Sequence, residues 1–138
     1  MTGTYEHSID DKGRLFIPAK LREELGSVFY LAAGVKENLT IYPMEAWNVL
    51  RERAAALTTT QAAAMDVFFA SACKCEPDKQ WRIMVPQNLR DYAKIDRDIV
   101  ITGNNDRAQI WSAEKWVEKT RAELTPANIA NILDSLGI

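Results

Sequence analysis

Histidine occurs once and cysteine twice in 138 residues, and no apolar run approaches the roughly 20 residues that a membrane-crossing helix requires. Each scarcity removes a class of function. His7 lies in a candidate strand, where its neighbour Ser8 points to the opposite face, so nucleophilic and acid–base catalysis lack their parts. Cys73, Cys75 and one distant histidine are too few for a structural zinc site, and Asp10-Asp11 lacks the further ligands a cation needs. Two residues apart on an extended segment, the cysteines point to the same side, a poor geometry for bridging each other. Reduced thiols in a cytosol are expected. The stretch Met1 to His7 has neither a basic head nor an apolar run, so no signal peptide is expected. A surplus of positive charge is missing too: the net charge is −2. That argues against a general nucleic-acid coat but leaves room for a local basic site. The expectation is a non-enzyme with no cofactor, no metal, no small-molecule substrate and no membrane partner.

With 47% hydrophobic and 26% charged residues, the chain has an ordinary globular composition, enough for one domain or two merged halves. Its main feature is an internal duplication. The segment from Asp10 to Arg22 returns, altered, from Asp78 to Arg90, so that Asp10, Arg14, Pro18, Leu21 and Arg22 match Asp78, Arg82, Pro86, Leu89 and Arg90. After one inserted residue, Gly34, Ile41, Glu45 and Trp47 match Gly103, Ile110, Glu114 and Trp116. Two copies are too few for a solenoid and imply two similar units packed on each other. Each carries one Asp-x-x-x-Arg loop.

The pattern predicts strands over 4–9, 15–17, 28–33 and 39–42, then a helix from Pro43 with Trp47, Leu50, Ala54 and Leu57 on one buried face. Pro18 suits the first position of a helix over 19–25, with Gly26 as its cap. Thr58 to Gln61 has the form of a capping box and opens a helix over 61–70. The second unit repeats the order: strands over 73–76 and 83–85, a helix from Pro86 to 93, and a hairpin over 98–102 and 108–111. Ser112 is a good N-cap for the helix bearing Trp116. Thr125-Pro126 opens a last helix whose Ile129, Ile132, Leu133 and Leu136 form an apolar stripe that needs a partner. The order strand–turn–strand–helix–hairpin, twice, implies a small mixed barrel of two interlocked units, with core packing expected for both Trp47 and Trp116.

Taken with the second loop, the paired tryptophans and the length, the segment from Tyr5 to Lys20 closely resembles the opening signature of the MraZ family, bacterial regulators with two SpoVT/AbrB-type repeats. The resemblance covers roughly residues 3–120. It implies an α+β, pseudo-twofold swapped-hairpin barrel of the AbrB type with peripheral helices. The implied division is a first repeat at 5–48, connecting helices at 49–73, a second repeat at 74–117 and a helical tail at 118–138. It further implies a ring-shaped homo-oligomer, cytoplasmic and nucleoid-associated, that binds short direct repeats in promoter DNA of the division and cell wall gene cluster, as a repressor. One departure stands out: the family has a glycine before both arginines, whereas here Gly13 is matched by Trp81. Tryptophan is strained at positive φ, so the two loops are expected to differ in backbone shape. Gln80 in place of Lys12 also removes a charge. DNA contact is therefore placed in the first loop, at Lys12, Gly13, Arg14, Lys20 and Arg22. Asp10, Asp78, Trp81 and Arg82 are assigned mainly to structure.

Arg14 admits two readings. Its planar guanidinium can donate two hydrogen bonds to guanine O6 and N7, or it can close the loop through a salt bridge to Asp10. The resemblance favours base readout. Lys12, Lys20 and Arg22 suit phosphates, though solvated helix-surface charge is the plainer reading for Arg22 and Arg90. Asp10 and Asp78 would repel phosphates and are read as orienting their arginines. Trp81 can stack on a base or pack; packing is favoured. The competing function is a ring-forming scaffold with DNA binding secondary, supported by the negative net charge and the amphipathic tail. An AbrB-like antitoxin would instead show one unit followed by a long partner-binding extension.

Overall fold

In a computed structural model that describes residues 1–138, the elements run β1 (Thr4–Ser8), β2 (Arg14–Phe16), α1 (Ala19–Leu25), β3 (Phe29–Ala33), β4 (Leu39–Pro43), α2 (Met44–Ala55), α3 (Thr59–Ala63) and α4 (Asp66–Ser71). The second half continues with β5 (Cys73–Cys75), β6 (Arg82–Met84), α5 (Gln87–Tyr92), β7 (Asp98–Asn104), β8 (Arg107–Ser112), α6 (Ala113–Glu123) and α7 (Pro126–Ser135). Six strands form one antiparallel sheet in the order β1-β7-β8-β4-β3-β5, and β2 pairs with β6 in a separate two-stranded ribbon. The chain is α+β.

The strand order explains why two short units suffice. Hairpins β3–β4 and β7–β8 meet along β4 and β8, while each unit's first strand crosses to the other's hairpin: β1 onto β7, β5 onto β3. A unit taken alone would leave its first strand unpaired. Interlocked, they share one core. Leu15, Ile17, Ile83 and Val85 from the ribbon segments, Leu21 and Leu25 from α1 and Leu89 from α5 pack with Phe29, Leu31, Ile41, Ile99, Ile101 and Ile110 of the sheet.

Several local expectations shift. Pro18, Pro43 and Pro86 stand at N-caps with extended ψ of 136°, 155° and 150°, one residue ahead of the helix, because a ring-locked φ suits the cap as well as the first turn. Pro126 does occupy the first turn, behind the Thr125 cap. The capping box at Thr58 and Gln61 forms, as does the Ser112 cap. The helix expected over 61–70 is two pieces. Ala64 and Met65 make tighter bonds to Gln61 and Ala62, and the chain turns so that Phe68 and Phe69 reach Trp47.

Trp47 is 3% exposed and stacks on Tyr30 at 4.4 Å between ring centroids. Its counterpart Trp116 is only half-buried, tilted against Trp111 at 5.7 Å. No aromatic pair equivalent to Phe68 and Phe69 covers it. The expected buried face of α2 is likewise buried only at Trp47, since Leu50 and Ala54 are half-exposed and Leu57 is open. Trp47→Ala should therefore cost about 3–5 kcal/mol in denaturant unfolding, and Trp116→Ala clearly less. Equal losses would contradict the unequal cover.

Candidate nucleic-acid interface

Residues 10–14 form a turn tied together by one carboxylate. Asp10 Oδ1 accepts the backbone N–H groups of Lys12 at 2.9 Å and Arg14 at 2.8 Å, and Oδ2 accepts Arg14 Nε–H at 2.7 Å. Backbone bonds from Gly13 N to Asp10 O and from Asp10 N to Arg14 O close the loop. Gly13 sits at φ +80°, and a Cβ there would meet the Val85 carbonyl oxygen at 3.0 Å and the Arg90 guanidinium at 3.1 Å. Both sterics and backbone therefore ask for glycine.

The second loop is built the same way, which overturns the expected difference in shape. Asp78 Oδ1 accepts the N–H groups of Gln80 at 2.8 Å and Arg82 at 3.0 Å, and Oδ2 accepts Arg82 Nε–H at 2.9 Å. Trp81 takes φ +60°. Left-handed backbone costs a non-glycine residue about 1–2 kcal/mol. Tertiary contacts offset it. The indole packs on the core, the Arg22 guanidinium lies 5.4 Å from its ring, and the Trp81 carbonyl accepts the Ile17 N–H at 2.9 Å. In the pseudo-symmetric bond, Val85 N–H donates to the Gly13 carbonyl at 2.8 Å. Each turn is pinned by the other unit's strand.

Strand pairing sets where the arginines go. Arg14, Leu15 and Phe16 pair with Met84, Ile83 and Arg82. Side chains alternate across a strand, so Leu15 and Ile83 enter the core while Arg14, Phe16, Arg82 and Met84 share the outer face. The diagonal placement puts the two arginines roughly 7–8 Å apart. Both Nε atoms are bound, but neither arginine makes an intrachain hydrogen bond through its terminal nitrogens. The salt bridge and a free donating edge thus coexist: the carboxylate aims the guanidinium outward. Phe16 and Met84 are 46% and 58% exposed, and Arg82 lies 6.0 Å from the Phe16 ring. Reading 15–17 as a uniformly apolar strand missed Phe16. The period-two alternation about Leu15 and Ile17 carried the signal.

Lys12 and Lys20 are exposed and make no ion pair. Arg22 and Arg90 differ from the solvated charges expected of them. Both are half-buried, with Nε–H donated at 3.0 Å to Ile17 O and Val85 O respectively. Arg22 thereby braces the second loop and Arg90 the first.

Asp10 and Asp78 are held below the ordinary carboxylate range. The backbone N–H of the following arginine contributes most, then that arginine's side chain and the N–H of Lys12 or Gln80, against a partial desolvation that works the other way. The folded loop favours the charged form, so its contribution is complete at neutral pH and is lost as pH falls through the lowered value. NMR titration of the carboxyl carbons should place both inflections below the usual aspartate value of about 3.9. Inflections at or above it would mean the loops are not closed this way. Burial, with a smaller effect from Cys73, pushes the Cys75 thiol up to about 12, so it stays protonated and inert. No three His, Cys, Asp or Glu side chains stand close enough to hold a metal.

The chain matches the family model for the MraZ protein, also described as antitoxin-like, twice, over residues 1–67 and 68–133. It is 45% identical over 140 residues to a protein of Desulfitobacterium hafniense strain Y51, spanning 99% of this chain and 98% of that one. A protein of Caldicellulosiruptor bescii is 42% identical over 142 residues, covering 100% and 99%. One of Moorella thermoacetica is 44% identical over 122 residues, covering 86% and 85%. Each of the three is named transcriptional regulator MraZ.

Proposed function

The chain belongs to the MraZ family, and from that membership we propose a DNA-binding transcriptional regulator that lays its β2–β6 ribbon in the major groove of promoter DNA. The family is one of regulators, not enzymes. The observation that carries the ribbon reading is the pair of outward guanidiniums, each fixed through Nε and open at its terminal nitrogens. A major groove about 12 Å wide admits a two-stranded ribbon. Arg14 reads guanine. Arg82 stands in the same geometry, which removes the reason for treating the second loop as structure alone. Lys12 and Lys20 neutralise phosphates, and Gly13 lets the backbone close against its neighbours. Arg22 acts through its brace on Trp81. Asp10 and Asp78 serve as aiming groups.

One ribbon makes few phosphate contacts and binds weakly at physiological salt. Several linked copies raise the local concentration for each further contact. This favours a ring-shaped homo-oligomer on short direct repeats in the promoter of the division and cell wall gene cluster, acting as a repressor in the cytoplasm at the nucleoid. In the same reading the interlocked sheet and ribbon curl into a swapped-hairpin barrel. Footprinting of the DNA upstream of the gene at two salt concentrations tests it. Evenly spaced protected repeats that fade steeply with salt support the reading; protection absent at low salt rejects it. A ring-forming scaffold, favoured by the open apolar face of α7, would bind its partner with little salt dependence.

A further inference from the structure

The outer face of the β2–β6 ribbon carries two side chains that guanine readout leaves without a role. Phe16 and Met84 are exposed, and neither belongs to the core cluster. Every other exposed large hydrophobic side chain lies on a helix or in a loop. An apolar group left open on a surface built for contact marks part of that contact.

The strand register says what stands beside each of them. Met84 pairs directly with Arg14, and Phe16 pairs directly with Arg82. Residues facing each other across an antiparallel pair have Cβ atoms about 4.5–5.5 Å apart. The four outward positions therefore alternate, cationic and apolar, around a small square. The guanidiniums are held in place by Asp10 and Asp78, and Arg82 also lies 6.0 Å from the Phe16 ring. Whatever covers one member of the square covers its neighbours. A protein seated on Phe16 and Met84 would desolvate two guanidiniums with them, whereas a duplex accepts both kinds of group. Among the base edges of the major groove one feature is apolar, the C5-methyl group of thymine.

We propose that Phe16 and Met84 read thymine methyl groups next to the guanines bound by Arg82 and Arg14. Successive bases on one strand are about 3.4 Å apart along the axis. The cross-strand spacing of the side chains then places each thymine within one or two base pairs of its guanine. The inference rests on the proposed ribbon reading and adds a second specificity to it. Guanidinium forks select guanine, and the apolar corners select the methylated pyrimidine beside it.

Replacing thymine by uracil removes the methyl group and leaves every base-pairing group unchanged, so it tests the contact without altering the protein. Gel-shift titrations would use full-length wild type, Phe16→Ala and Met84→Ala. The DNA is the fragment upstream of the gene that footprinting protects, intact or with one thymine at a time changed to uracil. Both variants should keep the wild-type melt in circular dichroism. Uracil within two base pairs of a protected guanine should weaken wild type about four-fold at each methyl lost, the loss expected for one buried methyl group. At one such position Phe16→Ala should lose nothing further, and at another Met84→Ala should lose nothing further. A purely supporting role, such as Phe16 steadying Arg82, would weaken binding to the thymine and uracil fragments equally. The proposal is overturned if no uracil replacement affects wild type, or if each variant stays as sensitive as wild type at every position. It is also overturned if no protected guanine has a thymine within two base pairs. Insensitivity to uracil alongside lost binding by Arg14→Ala leaves guanine readout standing and removes only the methyl contact. Ribbon arginines that prove dispensable remove both.

Discussion

Arg14→Ala should lose most of its specific promoter binding while the assembly keeps its mass. A bidentate arginine–guanine pair discriminates by about 1–3 kcal/mol, roughly five-fold to more than a hundred-fold at each site. In a linked assembly each weakened site also loses the benefit of its neighbours, so the total loss exceeds that of one contact. The fold has little to lose. Arg14 lies outside the core cluster, and Asp10 still accepts the N–H groups of residues 12 and 14 after the side chain is gone. Gel-shift titration checks the affinity and sedimentation checks the mass. Arg14→Lys should fall between: a point charge retains attraction to phosphates but lacks the planar fork that separates guanine from other bases. Undiminished binding by Arg14→Ala would remove the first loop as the reader.

Arg82→Ala carries the second largest expected effect, a loss of at least about five-fold by the same pairing energy. The equivalence of the loops motivates it. Asp78 binds the second loop through the same three hydrogen bonds, and the strand register places Arg82 on the same outward face as Arg14. If the second loop serves structure only, Arg82→Ala will lower the unfolding midpoint and leave affinity per folded molecule unchanged. If both arginines read DNA, affinity falls while the melt barely moves. An Asp10→Ala variant separates aiming from repulsion in the same assay. Removing an acid near phosphates should tighten binding if charge alone matters, and weaken it if the carboxylate positions Arg14.

Much of this was legible in residues. The duplication, the two Asp-x-x-x-Arg loops, the capping box at Thr58 and the caps at Ser112 and Thr125 are local signals, and the chain obeys them. The Trp81 loop departs from the expected shape because local backbone strain is offset by tertiary contacts that sequence does not display. An αL penalty of about 1–2 kcal/mol is smaller than what packing, a stacked guanidinium and a shared ladder bond can return. Trp116 and the α2 stripe show the reverse error. Periodicity says which face is apolar but not whether the same molecule covers it, and Phe68 and Phe69 cover only Trp47. The braces from Arg22 and Arg90 join elements of different units, so sequence spacing carried no trace of them.

The central claim, that guanidiniums on the ribbon touch guanine edges, is tested most directly by replacing single guanines in the bound repeat with an analogue that lacks N7. At the guanine read by Arg14 the replacement should weaken wild type about five-fold or more, and should weaken Arg14→Ala no further, because the lost acceptor and the lost donor belong to one bond. If no position affects wild type, or if wild type and Arg14→Ala lose affinity equally at every position, the ribbon is not where this protein reads its DNA.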